Sequence, residues 1–123
     1  MQVEVKAPCN PTEDVSRVER AMKRIFPDLD VREKGGYLIG TGSSVEKFIE
    51  ILKNQRIRSA ARGVFLASRS TDEISFALNK QVAFVGKVSF GSGSPLGDIE
   101  VSIVSDDIDS VIDSMAPDLG DSG

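Results

Sequence analysis

"LDVREKGGYLIGT", residues 29–41, sets two short strand-like runs on either side of the pair Gly35–Gly36. Paired glycines reach the positive φ angles of a tight hairpin without a steric penalty. The stretch therefore reads as two antiparallel strands, Leu29–Lys34 and Tyr37–Thr41. Strands joined this way need no crossover helix, so the helical segments around them point to an α+β fold.

Upstream, Val3, Val5 and Ala7 alternate with Gln2, Glu4 and Lys6, the period of a half-buried strand. "CNPTED" reads as a helix entrance, capped either by Asn10 ahead of Pro11 or by Thr12 ahead of Glu13 and Asp14. Val15, Val18, Met22 and Ile25 follow at helical spacing. Arg17, Arg20, Lys23 and Arg24 gather toward the C-terminal end, where cations complement the helix dipole, and Pro27 stops the helix.

Downstream, Ser43 and Glu46 have the spacing of a capping box ahead of Phe48, Ile49 and Leu52. Helical character continues or restarts through Ile57, Ala61 and Phe65 and breaks near Ser68. Ile74, Phe76 and Leu78 share one face of a strand, and Phe84, Gly86, Val88 and Phe90 repeat that alternation. Between them Asn79, Lys80 and Gln81 mark a bend or bulge. "GSGSPLG", residues 91–97, is a flexible connection. Ile99, Val101 and Ile103 give the last strand, and Ile108, Val111, Ile112 and Met115 the stripe of a final helix. The expected architecture is a two-layer α+β sandwich, with helices on one face of a largely antiparallel sheet and the other face open to solvent. Residues 1–117 form a single domain, and 118–123 a short acidic flexible tail.

The composition removes whole classes of chemistry. With no histidine and the single cysteine Cys9, the 123 residues offer no intrachain disulfide, no His/Cys zinc site and no imidazole-based triad. The glycine-rich pieces lack the spacing of a phosphate-binding loop. No catalytic, cofactor-binding or metal-binding residues are assigned, and the protein is expected to be non-catalytic. No apolar run spans a bilayer and no signal-peptide pattern opens the chain, so the expected setting is cytoplasmic, away from membranes.

The net charge of −4 conceals an uneven distribution: residues 47–87 carry eight basic and three acidic side chains, residues 98–121 eight acidic and no basic ones. Between Ile51 and Ser70, Lys53, Arg56, Arg58, Arg62 and Arg69 have no acid among them. Guanidinium groups make forked contacts to phosphate, so this composition suits a polyanion. It also suits a solvated helix face, or arginines paired with the acidic end. Asn79, Lys80, Gln81 and Lys87 extend the candidate set: the amides offer a donor and an acceptor together, the lysines a phosphate partner. Alternatively, Asn79 and Gln81 satisfy backbone groups at a strand junction. The acidic end, Asp98 to Asp121, is expected to fold over the basic middle and compete with a bound polyanion for it.

"NPTED", "RIFP", "EKFIEILKNQRIRSAAR", "FALNKQVAFVGKVSF" and "PLGDIEV", in this order, resemble the archaeal domain-of-unknown-function-fifty-four family. The resemblance runs from Val3 to about Pro117. It implies a small cytoplasmic protein predicted to bind RNA, with an α+β sandwich similar to the ribosomal protein that binds five-S RNA. The matching positions Gln55–Arg62 and Leu78–Gln81 coincide with the candidates above. The expected function is RNA binding through the basic central region. The competing reading is a protein-interaction module, such as a homodimer, without nucleic-acid binding.

Overall fold

A computed structural model describes residues 1–91, 93 and 97–118. In chain order the elements are β1 (Gln2–Pro8), α1 (Val15–Ile25), β2 (Asp30–Lys34), β3 (Tyr37–Gly42), α2 (Glu46–Asn54), α3 (Arg58–Ser68), β4 (Glu73–Asn79), α4 (Lys80–Ala83), β5 (Asp98–Val104) and α5 (Ile108–Met115). The strands form one sheet in the order β2-β3-β1-β5-β4, and every pairing is antiparallel.

Register aligns the strands' apolar positions in rows. Val3 pairs with Ile103, which pairs with Ile74; Val5 pairs with Val101, which pairs with Phe76. These residues are buried beneath the helices, together with Val18, Met22 and Ile25 of α1, Phe48 and Leu52 of α2, Phe65 of α3 and Ile112 of α5. Phe48 stacks on Phe76 at 5.6 Å between ring centroids, with Phe26 and Phe65 tilted against the pair. This inner face is the core of the expected two-layer α+β sandwich. The alternate residues Glu4, Tyr37, Thr41, Ser75 and Glu100 stay exposed on the outer face.

The hairpin forms as its glycines require, with φ of +59° at Gly35 and +83° at Gly36 and Lys34 opposite Tyr37. Helix entrances differ from the sequence reading. α1 starts later, capped by Asp14, whose carboxylate accepts from Ser16 N at 2.9 Å, while Asn10 donates to Glu13 instead. Ser43 does not cap α2. The backbone amides of Ser43 and Ser44 donate to Asp28 at 3.0 and 3.2 Å, and Ser44 Oγ accepts from Glu46 N.

The strand expected over residues 84–90 does not form. Asn79 Oδ1 accepts from Val82 N at 3.0 Å and turns the end of β4 directly into the single turn of α4. Gly86 (φ +75°) then reverses the chain, leaving only an isolated bridge between Leu78 and Phe90. The alternation that mimicked a strand has another origin: Phe90 packs edge-on against Phe65 and Phe76, while Phe84 sits against α1. The connection read over 91–97 lies partly outside the described residues, and so does the acidic tail beyond Asp118.

Candidate nucleic-acid interface

The nine candidate side chains do not share one environment. Arg62 Nη1 donates to Asp113 Oδ1 at 2.8 Å and to the carbonyl oxygen of Ala116 at 3.0 Å. Arg69 Nη1 lies 2.5 Å from Asp109 Oδ1. Both carboxylates stand on α5, so part of the acidic end does lie over α3 and occupies two of its arginines. Lys80 departs furthest from expectation. It is fully buried (0% exposed), donating to Glu13 Oε1 at 2.6 Å and to the Pro8 carbonyl, and cannot meet a phosphate at the surface. Asn79 is spent on capping α4. Lys53, Arg56, Gln81 and Lys87 are exposed, and Arg58 is half-buried.

The Lys80–Glu13 pair couples α4 to the entrance of α1. Burial pushes the Glu13 carboxyl upward, but hydrogen bonds from Lys80 and Asn10 outweigh it and hold the group below its ordinary value. The buried lysine thus keeps its counter-ion charged, and two members of the polar triad, Asn79 as a cap and Lys80 as an anchor, serve the fold.

The pair also alters a neighbouring surface. Arg17, Arg20 and Arg24 are spaced three and four apart and share one exposed face of α1. Glu13 and Asp28 flank α1, four residues before Arg17 and four after Arg24 in the chain. Glu13 is taken by Lys80 and Asp28 by the Ser43 and Ser44 amides. Glu19 pairs with Lys23 instead. Among the described residues, none of the three arginines has a carboxylate within ion-pair distance. Asp14 feels the Arg17 charge, but its low pKa comes first from its hydrogen bonds to Ser16. The three arginines line a cleft of about 170 Å³ whose wall is Phe84, with the Arg17 guanidinium 5.7 Å from that ring's centroid.

Residues 84–88 join this cleft to the α2–α3 junction. A β-carbon placed on Gly86 would lie 3.7 Å from Arg24 Nη1, and the Gln55 side chain bonds both Val88 N and Val88 O at 2.8 Å. Lys87 projects between these two anchors. At the junction, Ile57 N donates to Leu52 O and Arg56 N to Lys53 O, the double bond of a Schellman ending. The position with φ of +59° is Arg56, where glycine is the usual occupant. Reading the sequence assigned the α1 arginines to the helix dipole alone. Their three–four spacing was the available signal, but the diversion of Glu13 and Asp28 is visible only in three dimensions.

The outer sheet face is different in kind. A concavity of about 410 Å³ on it is lined by Glu4, Glu73 and Glu100 with Lys6, Ser75 and Ser102. Three carboxylates against one lysine do not suit a polyanion. Among the described residues no cluster of three or more His, Cys, Asp or Glu is arranged to hold a metal, and no helix is long and apolar enough to cross a membrane.

A family model described as RNA binding matches residues 2–105. A UPF0201 protein of Methanothermobacter thermautotrophicus is 38% identical over 96% of this chain and 92% of its own length. Another, from Thermococcus onnurineus, is 35% identical over 94% and 91%. The crystal structure of a UPF0201 protein from Methanococcus jannaschii superposes with a TM-score of 0.88 at 36% identity, covering 95% of this chain and all of the other.

Proposed function

The chain belongs to the family described as RNA binding, that of the archaeal UPF0201 proteins, and from this premise we propose that it binds RNA without catalysing a reaction on it. The reading is supported by one observation: exposed arginines of α1 line a cleft with Phe84, and residues 84–88 link that cleft to the α2–α3 junction through Gln55. Arg17, Arg20 and Arg24 are exposed on α1, Lys87 on the linking segment, and Lys53 and Arg56 at the junction, where Arg58 is half-buried. The lack of acids between Ile51 and Ser70 supplies attraction to phosphate, while the overall net charge of −4 limits nonspecific adhesion elsewhere. Gln81 adds an exposed amide able to donate and accept beside this edge. The fold likeness to the five-S-RNA-binding ribosomal protein is carried by the sequence resemblance alone.

The test is fluorescence anisotropy with labelled single-stranded and duplex RNA from low to moderate salt. Engagement of five phosphates gives a log–log slope on the order of −3.5 for a single strand. Affinity indifferent to salt, or no binding at low salt, would remove the proposal.

A second reading has its own observation. On the outer sheet face Arg32 and Lys34 lie on edge strand β2, while Glu73 lies on the opposite edge strand β4 and Glu100 on β5 beside it. A second copy related by a two-fold axis along the strands would set the basic edge of each sheet over the acidic edge of the other. Sedimentation equilibrium at low and high salt decides it: a monomer in both discards the homodimer.

A further inference from the structure

We propose that the cleft made by Arg17, Arg20 and Arg24 against Phe84 is the principal phosphate-docking site of this protein, taking consecutive phosphodiesters of an RNA strand along the face of α1. The inference rests on the RNA-binding reading and places it on residues that neither the family description nor the basic central segment indicates.

Four features of the cleft carry it. Residues spaced three and four apart on a helix form a row along its axis, so three guanidiniums stand in line. Such a row matches a ligand that repeats its charge along a strand. Second, the carboxylates on and around the helix are engaged elsewhere: Glu19 on Lys23, Asp14 first on Ser16, and the flanking Glu13 on Lys80 and Asp28 on the Ser43 and Ser44 amides. With these carboxylates so engaged, the exposed row of cations is open to an anion from solution. Third, Phe84 is a half-buried ring at the cleft wall with Arg17 above it. An aromatic face holds a guanidinium in place while leaving its N–H edge free to donate, which lowers the ordering cost of binding. Phe84 is thus a positioning residue for Arg17. Fourth, Val85, next to Phe84 in the chain, is 67% exposed, an apolar side chain open to solvent. A ribose or base edge can rest there once the phosphates are held.

The experiment compares two triple variants that remove the same charge. One is Arg17→Gln/Arg20→Gln/Arg24→Gln. The other is Lys6→Gln/Arg32→Gln/Lys34→Gln on the outer sheet face. All three α1 side chains are exposed, so the first variant is expected to fold, with thermal melts as the check. Labelled single-stranded RNA should bind the α1 variant roughly 30-fold more weakly, about threefold per lost contact. Its salt slope should be shallower by about 2, at ~0.7 per phosphate. The sheet variant should lose less than threefold. Equal losses in both triples would overturn the inference and leave RNA binding as a diffuse charge effect.

Pyrophosphate titration, followed by NMR of the arginine Nε–H groups, separates this inference from the reading beneath it. Selective shifts at Arg17, Arg20 and Arg24 are expected. If the wild-type protein binds no RNA yet shows these shifts, the RNA reading fails and the anion site stands. If it shows neither, both fail. Phe84→Leu should weaken RNA binding a few-fold and broaden the Arg17 resonance while leaving Arg24 unmoved; an unchanged Arg17 would refute the positioning role.

Discussion

Helices α1 and α3 each bring arginines to the surface, and the fold treats them in opposite ways. On α3 and its C-terminal cap, Arg62 and Arg69 are met by Asp113 and Asp109 of α5. On α1, Arg17, Arg20 and Arg24 keep their guanidiniums clear because Glu13 and Asp28 are diverted to other tasks. Residue type and local density are alike in the two places. What differs is where the carboxylates go, and that is decided by tertiary packing. A cation count along the sequence therefore overvalues α3 and undervalues α1.

The largest expected effect tests the diversion itself. Glu13→Gln takes away the carboxylate that fully buried Lys80 meets at 2.6 Å. It should cost about 3 kcal/mol in urea unfolding, the usual penalty for stripping one partner from a buried pair. Glu13→Gln/Lys80→Met should recover much of that loss, because an apolar side chain of similar length needs no counter-ion. An undiminished stability in the single variant would break the account of Lys80. The same pair predicts a pH dependence. Because the folded-state carboxyl of Glu13 is depressed, its contribution is complete above the ordinary carboxylate value of 4.5 and disappears as pH falls through the lower folded value. Wild type should lose stability over that acidic window, and the double variant should lose less.

Arg62→Ala comes next and separates the two helices directly. The side chain is 24% exposed and holds both Asp113 and the Ala116 carbonyl, so its loss should cost about 1–2 kcal/mol. The salt slope for RNA should stay where it is. A slope shallower by close to one unit, with stability intact, would return Arg62 to the phosphate-binding set. Asp109→Asn/Asp113→Asn is the converse change. Freed from α5, Arg62 and Arg69 become available, and RNA affinity should rise about threefold with a steeper salt slope. No change would mean that the acidic cover over α3 does not compete with RNA.

The sequence was most legible where local chemistry and global fold agree. Two glycines at positive φ fix the hairpin, and strict alternation in β1, β4 and β5 fixes which side chains face the helices. It misled where a side chain satisfied two patterns at once. Phe84 to Phe90 alternates like a strand, yet Asn79 caps a helical turn and the aromatics reach two different packing sites. Lys80 reads as a surface cation because its partner Glu13 lies 67 residues earlier in the chain. Conversely, the pairing of acidic α5 with basic α3 was accessible to simple charge accounting, because both segments are strongly biased.

Arg56 offers the finest test, since its two roles pull in opposite directions. At φ +59° it occupies the C′ position of a Schellman ending, which glycine fills without strain and a β-carbon does not. Were the position only structural, glycine would be the better choice. Arg56→Gly should therefore raise stability by about 0.5 kcal/mol, the relief of the left-handed backbone less the added freedom of the unfolded chain. In exchange it removes an exposed cation at the α2–α3 junction and should weaken RNA binding about twofold. Arg56→Lys keeps the charge and the strain, so it should match wild type in stability and hold most of the affinity. The combination of firmer fold and weaker binding in Arg56→Gly, restored by lysine, is the signature of a strained residue kept for its side chain. If glycine stabilised the fold and left the affinity untouched, the α2–α3 junction would drop out of the interface, and α1 with residues 84–88 would carry it alone.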